Sequence, residues 1–144
     1  MPDPGWHLAQ LNIATLLAPL HSPQLAGFVG ALEPVNAVAD ASPGFVWRLQ
    51  TEDGDATSIR AFDDDRIIVN LTVWEDVEAL EAFVLAGRHL DVLRRRREWF
   101  EKMDRAYLVL WWIPAGTIPT IEEAAARLDK LRERFPAPGA AMIT

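Results

Sequence analysis

The polar side chains best suited to chemistry in this sequence stand among apolar residues in three short runs. Asn12 lies in HLAQLNIA, Arg48 in FVWRLQ and Asn70 in IIVNLTVW. Amide and guanidinium N–H groups bind carbonyl, phenolate or carboxylate oxygens and stabilise an oxyanion as it develops. We therefore expect catalytic roles for Asn12, Arg48 and Asn70. Other residues at the same strand spacing would bind the substrate, the tryptophans by stacking on a planar ring: Gln10, Thr72, Trp74 and Trp112.

A second group of candidates lies in AGRHLDVLRRRREWF, a stretch that we expect to be helical. His89 and Arg96 share one side of that helix with Leu93. Because the apolar members of this side should face the sheet, we expect His89 and Arg96 near the edge of the core. His89 then suits catalytic proton transfer near neutral pH, haem ligation, or a structural bond to the backbone. Arg96 needs a carboxylate or an anionic ligand as partner, which makes it a candidate substrate-binding residue.

The remaining arginines of that stretch predict a solvated surface. Successive residues turn about 100° around a helix, so four arginines in a row cannot form one patch. We expect Arg94 to pair with Glu98, and Arg97 with Glu101, one helical turn away.

Charge and composition narrow the function further. The 144 residues carry a formal charge of −7, which disfavours nucleic acid as a partner. The absence of cysteine excludes disulfides and thiolate chemistry. We find neither a signal pattern nor an apolar stretch of about 18 residues, and expect a cytoplasmic protein with no membrane partner. The acidic stretch 52–65 lacks the spacing of a calcium loop, and we predict no metal site.

Periodicity and capping residues divide the chain into four strands and three helices. Ser22 begins the first helix, and we expect Pro34 to kink it or divide it in two. Asp76 begins a long second helix with a break at Gly87, and Thr120 opens the last helix with a capping box. Residues 51–66 form a polar connection, of which 57–62 can extend the second strand. The predicted strands are 7–14, 45–50, 67–74 and 106–113, and the helices end near 40, 103 and 135.

This order predicts the ferredoxin-like, split βαβ layout, an α+β fold with a four-stranded antiparallel sheet and helices on one face. We expect one domain over 1–144, with its core at about 6–135 and a loose tail at 136–144. One set of strand side chains is uniformly apolar, and we expect the helices to cover this apolar face. The other set, the mixed face, places amides and Arg48 beside Trp74 and Trp112. Such a face fits either the core of a dimer or a partly polar ligand cavity.

The stretches HLAQLNIA, GFVWRLQ, RRRREWFEKM and LVLWWIPAG, with the segment between the second and third, resemble the bacterial domain-of-unknown-function family 3291. The resemblance covers about residues 6–135. That family is placed near the antibiotic-biosynthesis-monooxygenase group, whose members pair two ferredoxin-like sheets into dimeric α/β barrels. The resemblance therefore implies a homodimer.

The wider superfamily contains cofactor-free monooxygenases acting on polycyclic aromatics, haem-degrading enzymes, haem peroxidase relatives, lactone isomerases and proteins without known chemistry. Its haem-degrading members use an asparagine on the first strand, a tryptophan near the third and a histidine on the second long helix. Asn12, Trp74 and His89 occupy broadly similar elements here.

Two functions remain open at this point. The first is a monooxygenase-like enzyme that acts on a planar aromatic or conjugated small molecule without a bound cofactor. In that enzyme Asn12, Arg48 and Asn70 would polarise an oxyanion, the tryptophans would hold the ring, and His89 would move a proton. The alternative is a non-catalytic dimeric module that binds a small ligand or haem.

Overall fold

The computed structural model describes residues 5–51, 54, 57, 62 and 64–135. The elements follow one another in the predicted order, with the long second helix in three pieces. They are β1 (Trp6–Thr15), α1 (Ala26–Ala41) after a short 3₁₀ turn (Pro23–Leu25), β2 (Phe45–Arg48), β3 (Ile67–Trp74), α2 (Val77–Val84), α3 (Gly87–Arg94), α4 (Arg96–Trp99), β4 (Leu108–Pro114) and α5 (Ile121–Arg134).

The four strands form one antiparallel sheet in the order β2-β3-β1-β4. This is the ferredoxin-like, split βαβ arrangement, and the predicted α+β fold is confirmed. Strands β1 and β3 are the two inner strands. Their register places Asn12 opposite Asn70 and Gln10 opposite Thr72. Residues directly opposite on antiparallel strands have Cα atoms about 4.5–5.5 Å apart, so their side chains can touch.

Helices cover both faces of this sheet, and not one face as predicted. Helix α5 covers the apolar face, where Leu128 packs in one core cluster with Leu71 and Trp111. The other helices lie on the mixed face, where Phe83 of α2 packs against Trp74. Of the two alternatives for the mixed face, a dimer core and a partly polar ligand cavity, the helices on that face contradict the dimer core. Both faces carry large apolar side chains that must be buried. Because α5 covers the apolar face, the mixed face is covered by α1 to α4.

Strand β2 carries an irregularity that changes which face its residues occupy. Phe45 lies opposite Trp74, but Trp47 lies opposite Val73, so one extra residue, Val46, is inserted in β2. The bulge places Phe45 on the mixed face, where it packs with Trp74. Trp47 stays on the apolar face. Strict alternation along β2 predicts Phe45 and Trp47 on one face, and the bulge separates them because it shifts the strand period by one residue.

The helix boundaries test the capping predictions. The Asp76 carboxylate accepts the N–H of Ala79 at 2.8 Å, and Thr120 Oγ1 accepts the N–H of Glu123 at 3.0 Å, which confirms both starts. The predicted break before Gly87 is confirmed as well. Helix α1 runs without interruption through Pro34, so its predicted division is wrong.

A second break at Arg95 was not predicted, and it has a consequence for the site. It separates α3 from α4, which ends at Trp99 instead of near 103. Trp99 is buried in the core, whereas Arg96 is exposed. A helix that restarts no longer keeps one side in line over both halves.

Some predictions fall outside the described residues: most of the possible extension at 57–62, most of the acidic stretch 52–65, and the tail 136–144. In the part of the chain that the structure describes, no helix is long and apolar enough to cross a membrane.

Candidate functional site

The helices that cover the mixed face leave a gap over the centre of the sheet. On β3, Ile68 and Thr72 are buried at 8% and 5% exposure, yet Asn70 between them is exposed. The β2–β3 pairing ends at Arg48 opposite Thr72, so Asn70 lies beyond the end of β2 and between the two places where helices pack on β3. Asn12, directly opposite, is half-buried. We call this gap over Asn12 and Asn70 the amide opening.

Two separate core clusters explain why the gap exists. At one end of β3, Ile68 packs with Trp99 and Phe28. At the other end, Trp74 packs with Phe83 and Ala39 of α1. The helices are thus anchored to the sheet at two places with the amide opening between them. On β4, the half-buried Leu108 pairs with Asn12 and the half-buried Leu110 pairs with Gln10, so both add an apolar border. Trp112, half-buried as well, pairs with Leu8, further along β1.

Gln10 connects the amides of the opening in one hydrogen-bond network. Its Nε2 donates to Thr72 Oγ1 at 2.9 Å and to Asn70 Oδ1 at 3.1 Å. Its Oε1 accepts from Asn12 Nδ2 at 2.5 Å, and Asn12 Nδ2 also lies 3.3 Å from Asn70 Oδ1. Gln10 is buried at 4% exposure, so the network has a buried base and an exposed rim. The structure therefore brings together four predicted residues: Gln10, Asn12, Asn70 and Thr72.

Trp74 supports this network from below. Its Nε1 donates to Thr72 Oγ1 at 2.8 Å. Its ring stacks on Phe83 at 5.2 Å between centroids and meets the edge of Phe45 at 5.3 Å. With no exposed surface, Trp74 holds Thr72 in place but offers no free ring face to a ligand. Trp112 is the half-buried tryptophan of the mixed face.

Arg48 lies on the mixed face, but its guanidinium turns away from the amides. Its Nε and Nη2 donate to the two carboxylate oxygens of Asp40 at 2.8 and 3.2 Å, and Nη1 donates to the carbonyl of Gly54 at 2.6 Å. The backbone of Arg48 is paired with that of Thr72, beside the network. The arrangement joins the end of α1 to β2, and the structure does not bring this guanidinium into the amide network.

His89 packs beneath the helical layer instead of at the opening. Its Nδ1 lies 3.2 Å from the carbonyl oxygen of Val84, and its ring meets Phe83 at 4.9 Å between centroids. A carbonyl can only accept, so Nδ1 carries the proton and Nε2 is the basic atom of the neutral ring. Burial lowers the pKa of His89 and the bond to Val84 raises it, with burial the larger effect. His89 is therefore neutral at pH 7, bonded to backbone as in the structural alternative.

Arg96 lies outside the site. It is exposed, and its Nη1 donates to the carbonyl of Leu93 at 2.7 Å. The expectation that Arg96 borders the core is wrong, because the helix breaks at Arg95. Glu98 pairs with Arg95 at 2.8 Å and Glu101 with Arg66 at 3.3 Å, so the predicted pairs with Arg94 and Arg97 are also wrong.

Sequence reasoning missed the role of Gln10 at the centre of the network. Strand spacing placed Gln10, Asn12 and Asn70 on one face, but not in one another's reach. The missing information is the register of β1 against β3, which pairs Asn12 with Asn70 and Gln10 with Thr72. A prediction of that register would have placed the four side chains in contact.

Comparison with known proteins yields a family and a fold. A family model described as "Domain of unknown function (DUF3291)" matches residues 7–142. A search of curated proteins finds no match.

Solved structures with similar folds come from several bacteria. PA3566 from Pseudomonas aeruginosa has a TM-score of 0.52 at 14% identity, over 81% of this chain and all of its own. A candidate antibiotic biosynthesis monooxygenase from Nitrosomonas europaea has a TM-score of 0.50 at 13% identity, over 83% of this chain and 98% of its own. SnoaB, a cofactor-independent oxygenase from Streptomyces nogalater, has a TM-score of 0.49 at 21% identity, over 79% of this chain and 98% of its own. At these identities the likeness establishes the fold alone.

Proposed function

This chain belongs to the DUF3291 family, and from that premise and the amide opening we propose that it is a small monooxygenase-like enzyme. Its substrate is a planar, conjugated organic molecule with an enolisable carbonyl group, and the reaction needs no bound cofactor. The observation that carries the proposal is the exposed Asn70, which is bonded to the buried Gln10 and lies on the same face of the sheet as half-buried apolar residues.

The opening has the composition of a site for such a molecule. Small-molecule sites combine apolar walls with a few fixed polar groups. Here Leu108 and Leu110 supply apolar surface, and Asn12 and Asn70 supply the polar groups. Asn70 Oδ1 accepts from Gln10, so its Nδ2 is left to face the opening. An amide N–H held by a buried network is preorganised to bind an oxyanion.

The chemistry that this donor assists balances without a further reductant. The substrate CH₂ group beside the conjugated system loses a proton to solvent base, and the charge moves to the carbonyl oxygen, where Asn70 Nδ2 donates to it. The enolate carbon transfers electrons to O₂ and forms a C–O bond, giving a hydroperoxide after protonation. The hydroperoxide loses water and leaves a second carbonyl group. One oxygen atom of O₂ enters the product, and the other leaves as water.

Asn12 and Asn70 carry this proposal, while the other predicted catalytic residues act at most indirectly. Arg48 is committed to Asp40, and His89 is committed to Val84. We therefore assign Asn70 to the oxyanion, Asn12 to substrate orientation, and Trp74 to holding Thr72. Of the two tryptophans predicted to hold the ring, we assign this role to Trp112, since it is half-buried and Trp74 is fully buried.

Oxygen uptake with 1,8-dihydroxyanthrone, called anthrone below, tests the proposal. This molecule is planar and carries hydroxyl donors beside its carbonyl oxygen, and replacement of its CH₂ hydrogens by oxygen gives a dihydroxyanthraquinone, which absorbs at different wavelengths. We expect uptake above the spontaneous rate, reduced at least about 100-fold in Asn70→Ala, the lower end of the range for loss of one oxyanion donor. The control is Gln50→Ala, which removes an exposed amide after β2 and should leave the rate unchanged.

Anthrone that binds without oxygen uptake contradicts the enzyme and supports the alternative, a non-catalytic module for small ligands. Uptake that is equal in the parent protein and in Asn70→Ala contradicts the role of the amide opening. In either case the thermal unfolding midpoints of the variants show whether both are folded.

We propose in addition that the protein forms a homodimer, as the family resemblance implies. The surface involved differs from the mixed face, since α1 to α4 already cover it. Light scattering should give a mass near twice the 16.1 kDa of one chain, and a mass equal to one chain contradicts this proposal.

A further inference from the structure

We propose that the amide opening selects ligands that carry one hydrogen-bond donor directly beside one acceptor, and that Gln10 is the positioning residue that imposes this choice. The inference rests on the proposed function only in placing the ligand at the amide opening. It concerns binding, and it holds whether or not the bound molecule is oxidised.

The two ends of the Gln10 amide force the two asparagines into opposite orientations. A primary amide has one oxygen, which accepts, and one NH₂ group, which donates. Gln10 turns its oxygen toward Asn12 and its NH₂ toward Asn70. Asn12 must therefore donate to Gln10 through its NH₂ group, and Asn70 must accept from Gln10 through its oxygen. The 3.3 Å contact between Asn12 Nδ2 and Asn70 Oδ1 has the same sense.

The groups that remain for a ligand are therefore complementary. Asn12 keeps its Oδ1, an acceptor, and Asn70 keeps its Nδ2, a donor. If Gln10 rotated its amide by half a turn, both asparagines would have to rotate with it, and the outward pair would again be one donor and one acceptor. The pairing rule thus follows from the connectivity of the network and is the same for either sense of the amides.

Burial of Gln10 makes this constraint strong. At 4% exposure Gln10 has little access to water, so each of its polar atoms depends on a protein partner. Thr72 Oγ1 takes its second N–H, and Trp74 Nε1 donates to the same oxygen. If either asparagine alone turned its amide around, two donors or two acceptors would face each other at Gln10 in place of a hydrogen bond, which is costly.

The register fixes the spacing of the ligand groups. Asn12 and Asn70 are directly opposite on neighbouring strands, with Cα atoms about 4.5–5.5 Å apart, so one small ligand can reach both side chains. The ligand must carry its donor and acceptor on neighbouring atoms, as a lactam carries N–H and C=O or as an enol stands beside a carbonyl. A carboxylate offers two acceptors and is disfavoured.

A pair of ligands with the same outline tests the rule. In 2-quinolone, N–H and C=O lie side by side, and coumarin replaces that N–H by a ring oxygen without adding bulk. Isothermal titration calorimetry should show that the protein binds 2-quinolone at least about 10-fold more tightly than coumarin, as for one unmatched hydrogen-bonding group. Equal affinities, or no saturable binding of 2-quinolone, overturn the proposal.

The Gln10→Glu variant tests the role of Gln10 itself. A carboxylate only accepts, so it draws the NH₂ groups of both Asn12 and Asn70 inward and leaves two outward oxygens. We expect the preference for 2-quinolone over coumarin to fall about 10-fold. Gln50→Glu makes the same change at an exposed position and should keep the preference. A preference retained in Gln10→Glu overturns the proposal.

Gln10→Met keeps the test decisive if the glutamate variant fails to fold. It fills a similar volume and removes both ends of the linking amide, so the asparagines rotate independently and the preference should again fall. If Gln10 has only a structural role, its replacement weakens the binding of both ligands equally and leaves the ratio of their affinities unchanged. That result contradicts the proposal.

The outcomes separate this inference from the proposed function. Anthrone-dependent oxygen uptake that needs Asn70, without a preference for 2-quinolone, contradicts the donor–acceptor rule and supports the proposed enzyme. A Gln10-dependent preference for 2-quinolone without oxygen uptake contradicts the proposed enzyme and supports the donor–acceptor rule.

Discussion

Gln10 and Asn70 contribute very differently to stability, although they belong to the same network. Gln10 is buried and makes three hydrogen bonds, to Thr72, Asn70 and Asn12. Asn70 is exposed, and its partners Gln10 and Asn12 also bond to other groups of the network. We expect Gln10→Met to destabilise the protein substantially and Asn70→Ala to change its free energy of unfolding little.

The magnitude follows from the bonds that each change removes. Gln10→Met removes the bonds to Thr72, Asn70 and Asn12 at nearly constant volume. At about 0.5–1.5 kcal/mol for each bond, the loss is about 1.5–4.5 kcal/mol. After Asn70→Ala, the Gln10 NH₂ group still donates to Thr72 and Asn12 Nδ2 still donates to Gln10. An exposed substitution of this kind changes stability by about 0.5 kcal/mol or less.

Urea unfolding followed by tryptophan fluorescence measures both changes. At a slope of about 2 kcal/mol/M, the Gln10→Met midpoint should fall by about 1–2 M and the Asn70→Ala midpoint by about 0.2 M. Equal shifts for the two variants, or a negligible shift for Gln10→Met, would refute the view that Gln10 is the buried base of the network. The slopes must agree with that of the parent protein for the comparison to hold.

Four further substitutions test the helices around the site. In α1, Gly30→Ala should raise the free energy of unfolding by about 0.5–1 kcal/mol, since no atom lies within 4 Å of the added carbon. Gly27→Ala in the same helix should gain less, because its carbon would lie 3.0 Å from Arg95 Nη2 and displace that guanidinium from the Trp99 ring; equal gains in urea unfolding contradict this. Asp76→Ala should cost about 1 kcal/mol by removing the cap on Ala79, and an unchanged melting temperature argues against the cap. Burial lowers the pKa of His89 below its ordinary value of about 6.5, so the unfolded chain takes up a proton before the folded one does. The contribution of neutral His89 to stability is therefore complete above about pH 6.5 and is lost as the pH falls through the lowered pKa of the folded state. His89→Gln should reduce the fall in the urea midpoint between pH 7.5 and 5.5. If the fall is not reduced, it comes from other titrating groups.

The sequence by itself determined the elements and the fold. Alternating apolar residues set the four strands, and Asp76 and Thr120 set helix starts, because capping and strand period depend on neighbours in the chain. The order of elements then left the ferredoxin-like sheet as the compact arrangement. Strand period also placed Gln10, Asn12, Asn70 and Thr72 on one face before any contact was known.

Only the tertiary structure decided what covers that face and what the polar residues bind. Both faces of the sheet carry enough apolar surface to attract a helix, and the pattern of one strand does not say which helix will reach it. The bulge at Val46 and the break at Arg95 shift side chains by one position, and neither has a signal in the local sequence. The long side chain of Arg48 turned to Asp40, and the register of β1 against β3 made Gln10 the link between the two asparagines. Contacts between residues distant in sequence exist only once the chain has packed, so the amide opening is a property of the fold.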